Sequence, residues 1–212
     1  SKDPNYCQRV TANDGALATL PPQQVEAHDR HAIDFAPRGG ALTRWTNSLG
    51  ARRIDRPGTT FFDERSVDDA RCLTYTTAPF DVERIVTGHP VVHLWVTSTH
   101  PDGDFFVTLE EVDASGRSHY LTEGALRASH RAVGEAPFDD LGLPHHPSTE
   151  ETLLPLPDHP AELIIDLMGT AAVIDAGHRL RLTVAGANRP DFEGYPDPAT
   201  SGVPVIKVYR DR

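Results

Sequence analysis

The chain has 212 residues, among them 11 histidines, 31 acidic residues and two cysteines. These are the residue types that could do chemistry, and their spacing decides whether they do. Histidine is the most suggestive. His28, Asp29 and His31 cluster near the start, and His145-His146 lies in a proline-rich stretch. A zinc site wants ligands presented from rigid elements at set intervals, as in HExxH. Neither cluster has that spacing, so scattered surface histidines are expected, and a free-standing metal enzyme is the last-ranked reading. A hydrolytic serine sits on a strained turn written GxSxG. The nearest frame, Thr46-Asn47-Ser48-Leu49-Gly50, lacks the first glycine and follows no strand, so Ser48 is not expected to be a nucleophile. Cys7 and Cys72 form no CxxC pair and have no activating context. They read as reduced structural thiols of a cytoplasmic protein; a single disulfide tying the N-terminal arm to the first core strand is the other reading.

The acids are read similarly. Asp102 and Asp104 flank Gly103, and Asp113 lies at the opposite strand end. Acids so close on loops suit calcium, but Asp102 and Asp113 read better as turn formers and Asp104 as the partner of an arginine such as Arg127. Glu110-Glu111 resembles a catalytic carboxylate pair only on paper, because neighbours on a strand face opposite ways. Trp45 and Trp95 are too few for a sugar-stacking platform, and Trp95 reads as packing. No glycine-rich phosphate loop follows a strand, and no nucleotide, flavin or haem motif is visible. The expectation is therefore no catalytic, cofactor-binding or metal-binding residue within these 212 positions, and no cofactor.

The elements that must carry these residues are strands. Arg179 to Val184 alternates strictly: Leu180, Leu182 and Val184 point one way, Arg179, Arg181 and Thr183 the other. Such period-two alternation predicts one face in a core and one face wet. Further strands are expected at Cys72–Thr77, Pro90–Thr99, Asp104–Val112, Arg117–Leu121, Ala125–Arg131, Glu151–Leu156, Ala161–Met168 (buried on both sides) and Val203–Tyr209. Asp113-Ala114-Ser115-Gly116 is a hairpin turn, Gly124 a break or bulge, and Ala172–Ile174 a short turn of structure. Residues 1–70 are broken by Pro21-Pro22, Gly39-Gly40 and Pro57-Gly58, and read as an irregular wrap with Phe35, Trp45, Phe61 and Phe62 as apolar anchors. Val25–Phe35 has room for a short strand or turn of helix. The expected architecture is an all-β antiparallel sandwich of jelly-roll type over residues 71–212, with residues 1–70 as a long irregular N-terminal extension. An immunoglobulin-like sandwich fits less well, since the paired cysteines and central tryptophan are misplaced.

Composition bounds the partners. The formal charge of −11 would repel a phosphate backbone, so nucleic acid is not expected. No run of about 18 apolar residues exists to span a membrane, and Ser1-Lys2-Asp3-Pro4-Asn5-Tyr6 does not read as a secretory signal.

Several phrases, in order, resemble the C-terminal jelly-roll domain of the X-prolyl dipeptidyl aminopeptidase and cocaine esterase family of serine hydrolases. They are Leu73-Thr74-Tyr75-Thr76-Thr77-Ala78-Pro79-Phe80 with Val86-Thr87-Gly88, Asp102-Gly103-Asp104-Phe105 leading to Leu109, Glu123-Gly124-Ala125-Leu126-Arg127-Ala128-Ser129, Gly177-His178-Arg179-Leu180-Arg181-Leu182, and Asn188-Arg189-Pro190-Asp191-Phe192. The resemblance covers roughly residues 58–209. It implies a galactose-binding-like sandwich that packs on an α/β-hydrolase domain holding a Ser-Asp-His triad and shapes one wall of its cleft. No triad motif falls in this chain, so no catalytic residue is carried over and the chain is expected to be inactive alone. The strand-like end at Val208-Tyr209-Arg210-Asp211-Arg212 suggests that a final strand is missing. Arg127, Arg131, Arg179 and Arg181 are candidate rim groups, since a guanidinium fork suits carboxylates on a partner; solvated strand arginines are the equal alternative. A carbohydrate-binding module is the alternative function, and the row of exposed aromatics it requires is not apparent in the sequence.

Overall fold

The computed structural model describes residues 14–20, 27–37, 64–189 and 192–210. Two sheets face each other. The first has the order β1 (Asp14–Ala16), β3 (Leu73–Thr76), β10 (Arg179–Ala185), β6 (Asp104–Val112) and β7 (Ser118–Arg127). The second runs β2 (His28–Ala32), β11 (Val205–Tyr209), β5 (Val91–Ser98) and β8 (Ala161–Asp166). All pairings are antiparallel except β1 with β3. A separate two-stranded ribbon joins β4 (Arg84–Gly88) to β9 (Thr170–Ile174). Among the described residues the helical elements are short turns, α1 (Ser66–Asp69), α2 (Pro198–Ser201) and two 3-10 turns.

Alternation builds the core. Phe105 and Val107 of β6, Val184 of β10 and Leu73 and Tyr75 of β3 point inward from the first sheet. Leu94 and Val96 of β5, Leu163 and Ile165 of β8 and Ile206 and Val208 of β11 meet them from the second. Burying one such side chain is worth about 1.5–3 kcal/mol, and this face-to-face layer holds the sandwich together. The expected sandwich is thus the observed one.

Several local expectations are corrected. Gly124 is paired normally with Val107, and the bulge in β7 falls three residues earlier, at Leu121, which is skipped where Leu109 pairs with Thr122 and Glu110 with Tyr120. Gly124 is required for a different reason: a Cβ there would collide with the Asp166 carbonyl oxygen at the end of β8. Glu150–Thr152 forms a 3-10 turn closed by Thr149 and Thr152 instead of opening a strand. β8 is buried on one face only, with Ala161, Leu163 and Ile165 inward and Asp166 exposed. Thr170–Ile174 is a full strand whose partner β4 was not foreseen, although Ile85, Val86 and Thr87 are β-branched. The hairpin turn at Asp113–Gly116 is present, with Gly116 at φ 87°.

The largest correction concerns the arginine face of β10. It is not wet. Arg181 and Thr183 are fully buried, with Thr74, Thr76, Thr108 and Glu110 beside them. The strand alternates as expected, but segment 64–72 closes over its polar side. β1 and β2, both from the first seventy residues, are sewn onto the edges of the two sheets.

Candidate functional site

Arg181 stands opposite Thr76 on one neighbouring strand and opposite Glu110 on the other, so all three side chains share the outer face of the first sheet. α1 lies over them. Arg181 Nη1 donates to Asp69 Oδ2 at 3.1 Å and to Ser118 Oγ at 2.9 Å, and its Nε donates to Thr76 Oγ1 at 3.0 Å. Ser118 Oγ donates to Asp69 Oδ2 at 2.5 Å. Arg65 Nε donates to Glu110 Oε1 at 2.7 Å. The Arg65 amide also reaches the Ser118 carbonyl at 3.0 Å. Two arginines and two carboxylates are thereby buried together, a costly arrangement unless every group is matched.

The match includes a proton. Burial, followed by the charge of Asp69, pushes the Glu110 carboxyl well above the usual carboxylate range, against the pull of Arg65. Asp69 Oδ1 and Glu110 Oε2 have no other partner, and a Glu110 that keeps its proton donates to Asp69. Cys72 sits beside this layer as a free, buried thiol. Its Sγ donates to the Asp68 carbonyl at 3.2 Å, and burial raises its pKa far from thiolate reactivity.

The other candidates resolve into structural roles. Asp102 accepts the Gly103 and Ser129 amides. Asp113 accepts from the Ser115 hydroxyl, the Arg117 amide and guanidinium and the His119 ring. Desolvation alone would raise the Asp113 pKa; those hydrogen bonds hold it well below the usual range instead. Asp104 takes a two-pronged bond from Arg127, at 2.8 and 3.1 Å, whose guanidinium lies 4.1 Å over the Tyr195 ring. Arg131 caps the carbonyls of Leu154, Pro155 and Ala128. Of the four expected rim arginines, Arg181 is therefore interior, Arg127 and Arg131 are already engaged, and Arg179 is half-buried.

Glu110 and Glu111 do face opposite ways: Glu111 accepts from His178 Nδ1 at 2.6 Å. His28 packs at a tilt against the Tyr209 ring, Asp29 accepts from the Tyr75 hydroxyl at 3.1 Å, and burial lowers the pKa of His31 against the influence of Asp34. His146 directs its ring nitrogens at the Ala132 and Ile164 carbonyls. Among the described residues no group of three or more His, Cys, Asp or Glu is placed to hold a metal. Trp95 is half-buried in β5. Cys7, Trp45 and Ser48 lie outside the described residues.

One cleft, of about 1170 Å³, opens between the ribbon and the end of the first sheet. Thr87, Ala171 and Val173 form its ribbon side; Glu111, His119 and His178 form the other. Histidine–carboxylate pairs of this kind orient a base, but a base also needs something to activate. No hydroxyl or thiol is hydrogen-bonded to either ring among the described residues.

Fold and polar layer together define a β-sandwich domain whose charged groups mainly brace its own elements. The chain belongs to the family of X-Pro dipeptidyl-peptidase C-terminal non-catalytic domains, whose profile matches residues 8–205. This bears out the resemblance carried by the sequence phrases and extends it upstream of residue 58. A candidate serine esterase of Mycobacterium bovis is 39% identical over 187 residues, covering 87% of this chain and 28% of that protein; one from Mycobacterium tuberculosis matches to the same extent. Among solved structures, an aminopeptidase from a marine sediment archaeon (Thaumarchaeota archaeon) superposes with a TM-score of 0.65 at 19% identity, over 95% of this chain and 34% of its own. An alpha-amino acid ester hydrolase gives 0.65 at 19%, over 95% and 33%. A CocE/NonD family hydrolase from Staphylococcus aureus gives 0.53 at 21%, over 68% and 29%. The chain thus spans less than a third of the length of the curated relatives it matches.

Neither the Arg65–Glu110–Asp69–Arg181 layer nor the ribbon cleft was legible as a site. The alternating arginines were a usable signal for the first, but sequence spacing does not show what covers a strand face.

Proposed function

We propose that this chain works as the non-catalytic β-sandwich of a larger acyl esterase or peptidase of the α/β-hydrolase type. In this reading it packs on the catalytic domain of the same polypeptide and walls one side of its substrate cleft. In this reading residues 1–70 act as the wrap, contributing the edge strands β1 and β2, and residues 71–212 form the rest of the sandwich. The observation that carries the reading is the pairing of a non-catalytic family profile over residues 8–205 with esterase relatives of which the chain spans only 28%. The buried charge layer supports it, because it fixes segment 64–72 to the sheet as a rigid seat requires.

The test is direct. The purified chain is assayed against a chromogenic ester and an X-Pro chromogenic peptide, with and without a serine-directed phosphonate. The expected rate equals that of buffer. Hydrolysis above background that the phosphonate abolishes would falsify the reading.

A further inference from the structure

Among the described residues the β4–β9 ribbon forms a sheet of its own, separate from the two sheets of the sandwich. A two-stranded ribbon is marginal in water unless its faces are packed. Directly opposed residues share a face, so Ile85 with Val173 and Thr87 with Ala171 form one side, and Arg84 with Ile174 and Val86 with Ala172 the other. The second side meets the body: Ile174 is fully buried, and Val86 and Ala172 are half-buried. The first side is bare, with Ile85 72% and Val173 52% exposed. This bare side continues into the cleft through Thr87, Ala171 and Val173. The cleft's other wall carries Glu111 bonded to His178, Asp113 bonded to Arg117 and His119, and the exposed carboxylate Asp175.

We propose that the outer face of the ribbon and this cleft together are the surface on which the hydrolase part of the same polypeptide docks, through apolar side chains accompanied by a lysine or arginine. The inference rests on the function proposed above and adds where contact is made and by what chemistry. Two observations favour this occupant. The family relatives are more than three times as long as the chain, so a large covalently joined partner is at hand. The chain's charge of −11 and the exposed Asp175 in the cleft complement a basic segment. Other exposed apolar residues, such as Phe138 and Leu141, lie on the long crossing loop between β7 and β8, and exposed Val91 of β5 stands opposite Asp166 and not an apolar partner.

Amide hydrogen exchange of the isolated chain and of the full-length parent protein tests the surface. In the parent, exchange of peptides covering 84–88 and 170–174 is expected to slow at least tenfold. Ile85→Asp with Val173→Asp in the parent should restore the isolated-chain rate, and Asp175→Arg should reduce the protection. Leu141→Asp, on the crossing loop, should leave it unchanged. Protection that appears elsewhere, for instance over 133–154, with the ribbon unaffected overturns the surface while leaving the proposed function standing. No protection anywhere overturns both. Unchanged protection in Asp175→Arg removes the charged half of the proposal.

Discussion

Arg181 occupies a position that in an ordinary strand would meet water, and it is wholly enclosed. Removing one member of a buried ion group leaves its partner charged and alone, which costs about 3–5 kcal/mol. Arg181→Met is therefore expected to lower unfolding stability by that order in denaturant titration, by stranding Asp69. Glu110→Gln has the opposite character. The amide oxygen still accepts from Arg65 and its NH₂ still donates to Asp69, so geometry survives without the need for a proton. The folded Glu110 pKa lies above the ordinary 4.5, so the folded state holds a proton that the unfolded state releases as pH rises past that value. Native stability must then fall with rising pH above about 4.5, at up to about 1.4 kcal/mol per unit for this one group. Glu110→Gln is expected to flatten that slope, matching or exceeding wild-type stability at pH 8 and losing the advantage near pH 4. An unchanged slope contradicts the protonated assignment.

At the scale of elements, the junction of β7 with β8 depends on one missing side chain. The Asp166 carbonyl approaches Gly124 so closely that a methyl group has no room. Overpacking of this sort costs about 1–3 kcal/mol, so Gly124→Ala should lower the thermal midpoint measurably. Gly116→Ala offers a contrast: no atom lies near a Cβ there, and any loss comes from its positive φ of 87°. The same elements show what a sequence reveals. β6 was legible to the residue, since Phe105, Val107 and Leu109 alternate against Phe106, Thr108 and Glu110 between two strong turns. β10 was legible as a strand but misread as half-wet, because periodicity reports which side chains share a face and not what lies over it. The ribbon escaped notice because a five-residue strand such as β4 is defined by a partner more than eighty positions away.

For the whole molecule, the sandwich and its family were readable because both depend on repeated local patterns: alternating strands, turn residues and short phrases in order. The covering of the arginine face and the cleft were not, since each arises where distant segments meet. The molecule is a braced body with one apolar edge left open, and its proposed role is to assist chemistry located elsewhere in the same polypeptide. The most direct measurement is ester hydrolysis by the parent protein's hydrolase portion, expressed without this domain, as the purified chain is titrated in. In that titration kcat/KM is expected to rise and saturate at one equivalent, while the chain alone stays at background. A rate indifferent to the added chain, or turnover by the chain itself, would contradict that role.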